Sequence, residues 1–223
     1  IEPFLSVEGL WAKKLSFNQM LQSAQGMAQM ALMNLEMGFE ATVLPFDMNV
    51  EAEILGCPVN YHDAADGVPV YPTVGERWIE TADDFNLPDS VDQAGRMPLI
   101  TAAIRQVKEQ AGAQSAVGAF LPRPFTLAGQ VMDPDRMFVK VLKKPQVMEA
   151  VLDKLTELLF RVRADYLQAG VDFVILEEGG ATSISPKSFK KLVLPPLKRL
   201  LEHKSVPHIL SLAGRAEGFM PLL

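Results

Sequence analysis

Four short apolar runs constrain this chain more than any other feature. They lie at residues 41–44, 115–120, 171–176 and 206–212. Their apolar residues are continuous rather than alternating, so each strand must be covered on both faces, as happens in parallel sheets flanked by helices. The segments between them carry helical periodicity. Over 17–37, Met20, Leu21, Ala24, Met27, Ala28, Ala31, Leu32 and Leu35 form one stripe closed by Gly38. A methionine row at this spacing is core packing. Further helices are expected at 91–111, from Pro124 to Val131, from Pro134 to Leu142, over 145–168 with Pro145 at its first position, and from Pro186 to His203 with a kink at Pro195-Pro196. Strand and helix therefore alternate, which defines an α/β fold with a parallel sheet.

Residues 57–90 are rich in Pro, Gly and Asp and read as a long excursion with one hairpin, near the alternation at 69–72. No linker or internal repeat interrupts the pattern, so 1–223 is expected to be a single domain. Four strands are half of an eight-stranded barrel, which usually needs about 250 residues. Either the sheet is open or strands are missing. The abrupt start at Ile1-Glu2-Pro3-Phe4 and apolar end at Leu222-Leu223 favour a barrel incomplete at both ends.

Charge narrows the function. The net charge of −6 gives no basic face for phosphates, which argues against nucleic acid and anionic membranes. The one cysteine, Cys57, excludes an intrachain disulfide and suits a reducing, cytoplasmic setting. No apolar stretch reaches the 18 residues of a membrane span, and the start lacks the basic and apolar regions of a signal peptide.

In parallel α/β folds, chemistry collects beyond the carboxyl ends of the strands. Those places hold Phe46 and Asp47, then Arg123, Phe125 and Thr126, then Glu177 and Glu178, then Ser211. Asp47 suits a general acid or base, and it also stands where a helix N-cap would stand. The adjacent carboxylates Glu177 and Glu178 repel, so one is expected to have a raised pKa suited to proton transfer. Phe46, Arg123, Phe125, Gln130 and Ser211 are the expected substrate-binding residues. His208 reads as a core residue on the face of its strand opposite Ser211, His62 and His203 as surface residues, and Cys57 as buried filler. No Cys/His pair has metal-ligand spacing, and Gly179-Gly180 is too short for a phosphate loop.

Three segments carry a family resemblance. Residues 118–128, Gly-Ala-Phe-Leu-Pro-Arg-Pro-Phe-Thr-Leu-Ala, are similar to the "G-P-F-T-L-A" strand–turn–helix of the uroporphyrinogen decarboxylase superfamily. The stretch from Ala169-Gly170-Val171-Asp172 through Glu178 to Ser185-Pro186 and Phe189, then Pro195, resembles its acidic strand end and "S-P-x-x-F … P". Residues 44–57, Leu-Pro-Phe-Asp-Met-Asn-Val-Glu-Ala-Glu-Ile-Leu-Gly-Cys, resemble "P-F-D-M-x-V-E-A-E-x-L-G-C" of the corrinoid-methyltransferase branch, closest to the methylcobalamin:coenzyme M enzymes. The resemblance implies a (β/α)8 barrel. It also implies methyl transfer from methylcobalamin on a separate corrinoid protein to a small acceptor, a thiol or tetrahydrofolate. In that branch zinc activates the acceptor thiol through an "H-x-C-G" motif. Here Ser211-Leu212-Ala213-Gly214 stands in that register, so neither ligand is present and no metal residue is assigned. Two alternatives remain: a decarboxylase-like enzyme, in which the residue matching Asp47 binds pyrrole N–H groups, or a non-catalytic protein that docks a corrinoid module.

Overall fold

The computed structural model describes residues 16–62, 70–112, 114–202 and 205–223. The chain runs through α1 (Phe17–Met20), α2 (Ala24–Glu36), β1 (Ala41–Leu44), α3 (Val50–Ile54), β2 (Val59–Asn60) and β3 (Thr73–Val74). It continues through α4 (Met97–Ala111), β4 (Ala116–Pro122), α5 (Pro124–Val131), α6 (Pro134–Lys143), α7 (Pro145–Ala169) and β5 (Phe173–Glu178). Next comes α8, built from Pro186–Ser188, a π-helical turn Phe189–Val193 and Leu194–Glu202, followed by β6 (His208–Leu212). The four predicted strands form one parallel sheet in the order β1-β4-β5-β6, and within the 57–90 excursion β2 and β3 pair antiparallel.

The side-chain alternation of each strand divides the sheet into two faces. Leu44, Val117, Ala119, Leu121, Val174 and Leu176 join the main core beneath the helices, where α7 buries Val151, Leu155, Leu158, Leu159 and Val162. Val43, Phe120 and Phe173 form a smaller cluster on the other face, with Ala41, Ala116 and Ile175 packed against it. Gly118 is required there. A Cβ at this position would stand 2.4 Å from the Phe173 ring. α7 ends at Gly170, whose left-handed φ of 105° closes the helix as its sequence suggests.

Several boundaries differ from the sequence reading, each for a local reason. The 17–37 helix is broken at Leu21–Ser23, because Ser23 restarts it by accepting a hydrogen bond from the Gly26 N–H at 3.0 Å. The 91–111 helix is likewise interrupted: Gly95, at φ 51°, separates the short turn Val91–Gln93 from α4. Asn49, not Asp47, is the N-cap residue of α3. The α8 π-turn precedes Pro195 and Pro196, which lack the N–H groups that an α-helical turn would use. Most important for the site, the third strand spans 173–178 rather than 171–176, so it includes both glutamates. Residue 69 and His203 lie outside the described residues, as does the start of the chain. Among the described residues no helix is long and apolar enough to cross a membrane.

Candidate functional site

At the carboxyl end of β1 the chain turns inward, and Phe46 and Asp47 are both buried. The Asp47 carboxylate accepts the Asn49 N–H at 3.0 Å and is held by Arg96 in a bidentate pair, Nη1 to Oδ2 at 2.9 Å and Nη2 to Oδ1 at 3.0 Å. Arg96 also donates from Nε to Glu53 at 2.7 Å and from Nη1 to the Leu21 carbonyl at 3.3 Å, and its guanidinium lies over the Tyr61 ring. Burial works against the Arg96 charge, but the hydrogen bonds to Asp47 and Glu53 more than reverse this, so its pKa is raised. The break at Gly95 places Arg96 at the head of α4, where its side chain reaches this cluster.

Above Asp47 is a cavity of about 310 Å³. Phe46, Asp47, Met48, Asn49, Tyr71, Pro72 and Gln130 line it. Asn49 donates from Nδ2 to the Pro72 carbonyl at 2.7 Å, joining the segment after β1 to the segment before β3. The Oε1 of Gln130 is buried and has no hydrogen-bond partner.

The 44–57 segment also carries a buried acid that its sequence does not mark as functional. Glu51, on the first turn of α3, is fully buried with Oε1 unpartnered. Burial pushes its pKa up to about 8, with the nearby Asp47 charge adding to the effect, so it is predominantly protonated at neutral pH. The Tyr166 hydroxyl, also buried and unpartnered, is raised well above its ordinary value by burial and then by Glu51.

A second group of residues surrounds the end of β5. Because the strand continues through both glutamates, Glu177 and Glu178 point to opposite faces rather than sharing one site. Glu178 is fully buried: its Oε1 accepts from Thr126 Oγ1 at 2.8 Å and from the N–H groups of Gly180 at 3.2 Å and Ala181 at 3.1 Å. Its Oε2 faces Arg123 Nε at 3.6 Å. Burial raises the Glu178 pKa and Arg123 opposes that rise; repulsion from Glu177 is not the cause that the sequence suggested. Arg123, also fully buried, is lowered to about 10 by burial and is still a cation at neutral pH. Its Nη2 donates to the Ser211 carbonyl at 3.1 Å, fastening β6 to β4 across β5. Phe125 is buried in the first turn of α5.

Glu177 is half-buried and stands level with Pro122 on β4 and Ser211 on β6. His208 is on the other face, level with Val174, and burial lowers its pKa. His62 bonds Thr73 Oγ1 at 2.9 Å, and Cys57 is buried beside Trp78. Phe46, Asp47, Arg123, Glu177, Glu178 and Ser211 stand at the carboxyl ends of β1, β4, β5 and β6, whereas Phe125 and Gln130 lie on α5. Phe46, Asp47 and Gln130 line the cavity beside β1, while Arg123, Glu177, Glu178 and Ser211 cluster around β5 and β6.

A zinc centre of the kind implied by the methyltransferase resemblance does not fit the end of β6. Ser211 is half-buried and Ala213 is exposed, and neither side chain supplies a thiolate or imidazole donor. Among the described residues no group of three or more His, Cys, Asp or Glu could hold a metal ion.

The uroporphyrinogen decarboxylase (URO-D) family profile matches residues 5–221. The chain is 30% identical over 202 residues to a methylated-thiol–coenzyme M methyltransferase of Methanosarcina mazei, covering 88% of this chain and 53% of that protein. It is 24% identical to a methylcobamide:CoM methyltransferase of Methanosarcina barkeri, covering 87% of this chain and 57% of the relative. A uroporphyrinogen decarboxylase of Wolbachia is also 24% identical, over 73% of this chain and 46% of that protein. A solved methyltransferase structure from Methanosarcina mazei superposes with a TM-score of 0.90 at 22% identity, covering 99% of this chain and 66% of the other. The chain thus spans about half the length of the curated relatives it matches. The profile match over nearly the whole chain and the shared parallel α/β architecture lead to one assignment: the chain belongs to the uroporphyrinogen decarboxylase family, with its partial TIM-barrel fold.

Proposed function

We propose that the protein containing this chain moves a methyl group between a corrinoid protein and a small acceptor bound beside β1. The 30% identity to a methylated-thiol–coenzyme M methyltransferase over 88% of the chain carries this reading. The segment resembling that branch also forms one wall of the 310 Å³ cavity. In the transfer, the methyl group leaves cobalt without the electron pair of the cobalt–carbon bond, which stays on cobalt. The acceptor sulfur or nitrogen forms the new bond and gives up its proton.

Glu177, half-buried at the end of β5, level with Ser211 and at the same edge of the sheet as the β1 cavity, is the group assigned to take this proton. Phe46 and Gln130 hold the acceptor, and the Arg96-locked Asp47 orients it. Arg123, Phe125 and Glu178, all buried, shape the site from behind, and Ser211 borders it. The acceptor is activated without zinc bound through Ser211 and Ala213, since neither residue is a zinc donor.

The decarboxylase alternative would place pyrrole N–H groups on Asp47, whose Oδ2 accepts a single hydrogen bond, from Arg96; it is the second reading because the Wolbachia decarboxylase is 24% identical over 73% of this chain. Visible spectroscopy tests the proposal. The full-length protein, mixed with a methylated corrinoid protein and either a thiol or tetrahydrofolate, should convert methyl-cobalt to the reduced cobalt form with one acceptor. An unchanged spectrum with both acceptors refutes it. Tight binding of the corrinoid protein without any conversion would mark the non-catalytic docking protein instead.

A further inference from the structure

The end of β6 supplies no zinc donor from Ser211 or Ala213, yet its backbone is gripped by two side chains. The Ser211 carbonyl accepts from Arg123 Nη2 at 3.1 Å, and the Ala213 carbonyl accepts from Thr182 Oγ1 at 3.1 Å. The Ala213 N–H donates to the Glu178 carbonyl at 2.9 Å. Gly214, at φ 87°, follows at once, and a Cβ there would stand 2.5 Å from Thr182 Oγ1.

The gripping residues are themselves anchored. Thr182 follows the turn at Gly180 and Ala181, whose N–H groups bind Glu178 Oε1. Arg123 places its own N–H on the Glu177 carbonyl at 2.9 Å and its Nε 3.6 Å from Glu178 Oε2. Ser211 is level with Glu177, so the strand end that Arg123 and Thr182 hold is the one beside Glu177.

Stability alone does not account for Arg123. The side chain is fully buried, and among the described residues its Nε and Nη1 have no hydrogen-bond partner. A buried cation so incompletely bonded costs more than an apolar side chain of similar size. The sequence points the same way. Pro124-Phe125-Thr126-Leu127-Ala128 matches the motif "P-F-T-L-A", and Arg123 stands where that motif begins with glycine. What the arginine adds is the bond to Ser211.

We infer that Arg123 and Thr182 are positioning residues: by gripping the Ser211 and Ala213 carbonyls they fix the end of β6 and hold Ser211 beside Glu177. The inference rests on the reading of Glu177 and Ser211 as part of the methyl-transfer site, and it adds the residues that act through them.

Amide hydrogen exchange and kinetics on the full-length protein test it together. Arg123→Met combined with Glu178→Gln removes the grip without stranding a buried charge, and Gln keeps an oxygen for Thr126, Gly180 and Ala181. Exchange over 208–214 should become about ten- to hundredfold faster, the worth of one charge-assisted hydrogen bond, with α7 unchanged. Thr182→Val should give about a two- to tenfold increase there, the worth of a neutral bond. In methyl transfer the first variant should lower kcat by about tenfold or more while the acceptor KM changes less than about twofold, because strand-end geometry and not acceptor binding is disturbed. Arg123→Lys, which keeps a charge and donors, should stay closer to wild type in both readouts. Exchange over 208–214 that is unchanged in the variants, or that accelerates equally across α7, overturns the inference. Faster exchange with kcat unaltered overturns it as well. If the wild type transfers no methyl group while exchange behaves as stated, the reaction reading falls and the grip on β6 stands.

Discussion

Glu51→Gln should stabilise the protein, and by an amount that depends on pH in a defined direction. Glu51 is fully buried, and its carboxyl is raised from an ordinary value of 4.5 to about 8, chiefly by burial. Below pH 4.5 the group is protonated in both folded and unfolded chains and contributes no pH dependence. As the pH rises above 4.5 the unfolded chain releases this proton while the folded chain keeps it. The unfolded state is therefore favoured increasingly until the pH reaches about 8, where the folded group also ionises. Each pH unit contributes about 1.4 kcal/mol, so the penalty at pH 7 is about 3 kcal/mol. Gln has the shape of the protonated acid and no ionisation, so the variant avoids that penalty. Urea unfolding of wild type and Glu51→Gln at pH 5, 6, 7 and 8 measures it. The stability difference should be within about 1 kcal/mol at pH 5 and should widen steadily in favour of Gln up to pH 8. A difference that is flat with pH, or a variant that loses stability as pH rises, would refute the protonated buried state of Glu51.

Two further outcomes probe the frame around the site. Arg96→Met strands the buried Asp47 carboxylate and should cost about 3–5 kcal/mol in chemical denaturation, whereas Asp47→Leu combined with Arg96→Met should recover much of that loss. Gly118→Ala pushes a methyl group into the Phe173 ring and should cost about 1–3 kcal/mol, with Phe173→Leu in the same chain restoring part of it.

The parallel sheet was legible in the sequence because its strands had to be apolar on both faces, and the helix over 145–168 because Pro145 and Gly170 mark its ends. Strand ends were harder to place. The third strand continues through Glu177 and Glu178 because Arg123 and Thr126 on the neighbouring segment bind the Glu177 carbonyl and the Glu178 carboxylate. That contact is distant in sequence and leaves no local mark. The same holds for Asp47. Its partner Arg96 is 49 residues away, and no periodicity links the two. Gly95, followed at once by a charged residue, was the available signal that a helix start had been displaced to aim a side chain inward. Glu51 was concealed differently, because a glutamate on the first turn of a helix reads as an ordinary favourable dipole contact rather than as a buried acid.

Methyl transfer is the central claim, and isotope labelling tests it most directly. The full-length protein would be incubated with a corrinoid protein carrying a carbon-13 methyl group on cobalt and with each candidate acceptor, and the label followed by NMR. The account predicts that the label leaves cobalt and appears on the acceptor's sulfur or nitrogen, and that Glu177→Gln slows this by about a hundredfold or more, as expected when a positioned base is lost. Label that stays on cobalt with every acceptor, while the same preparation releases carbon dioxide from a porphyrinogen, would contradict it.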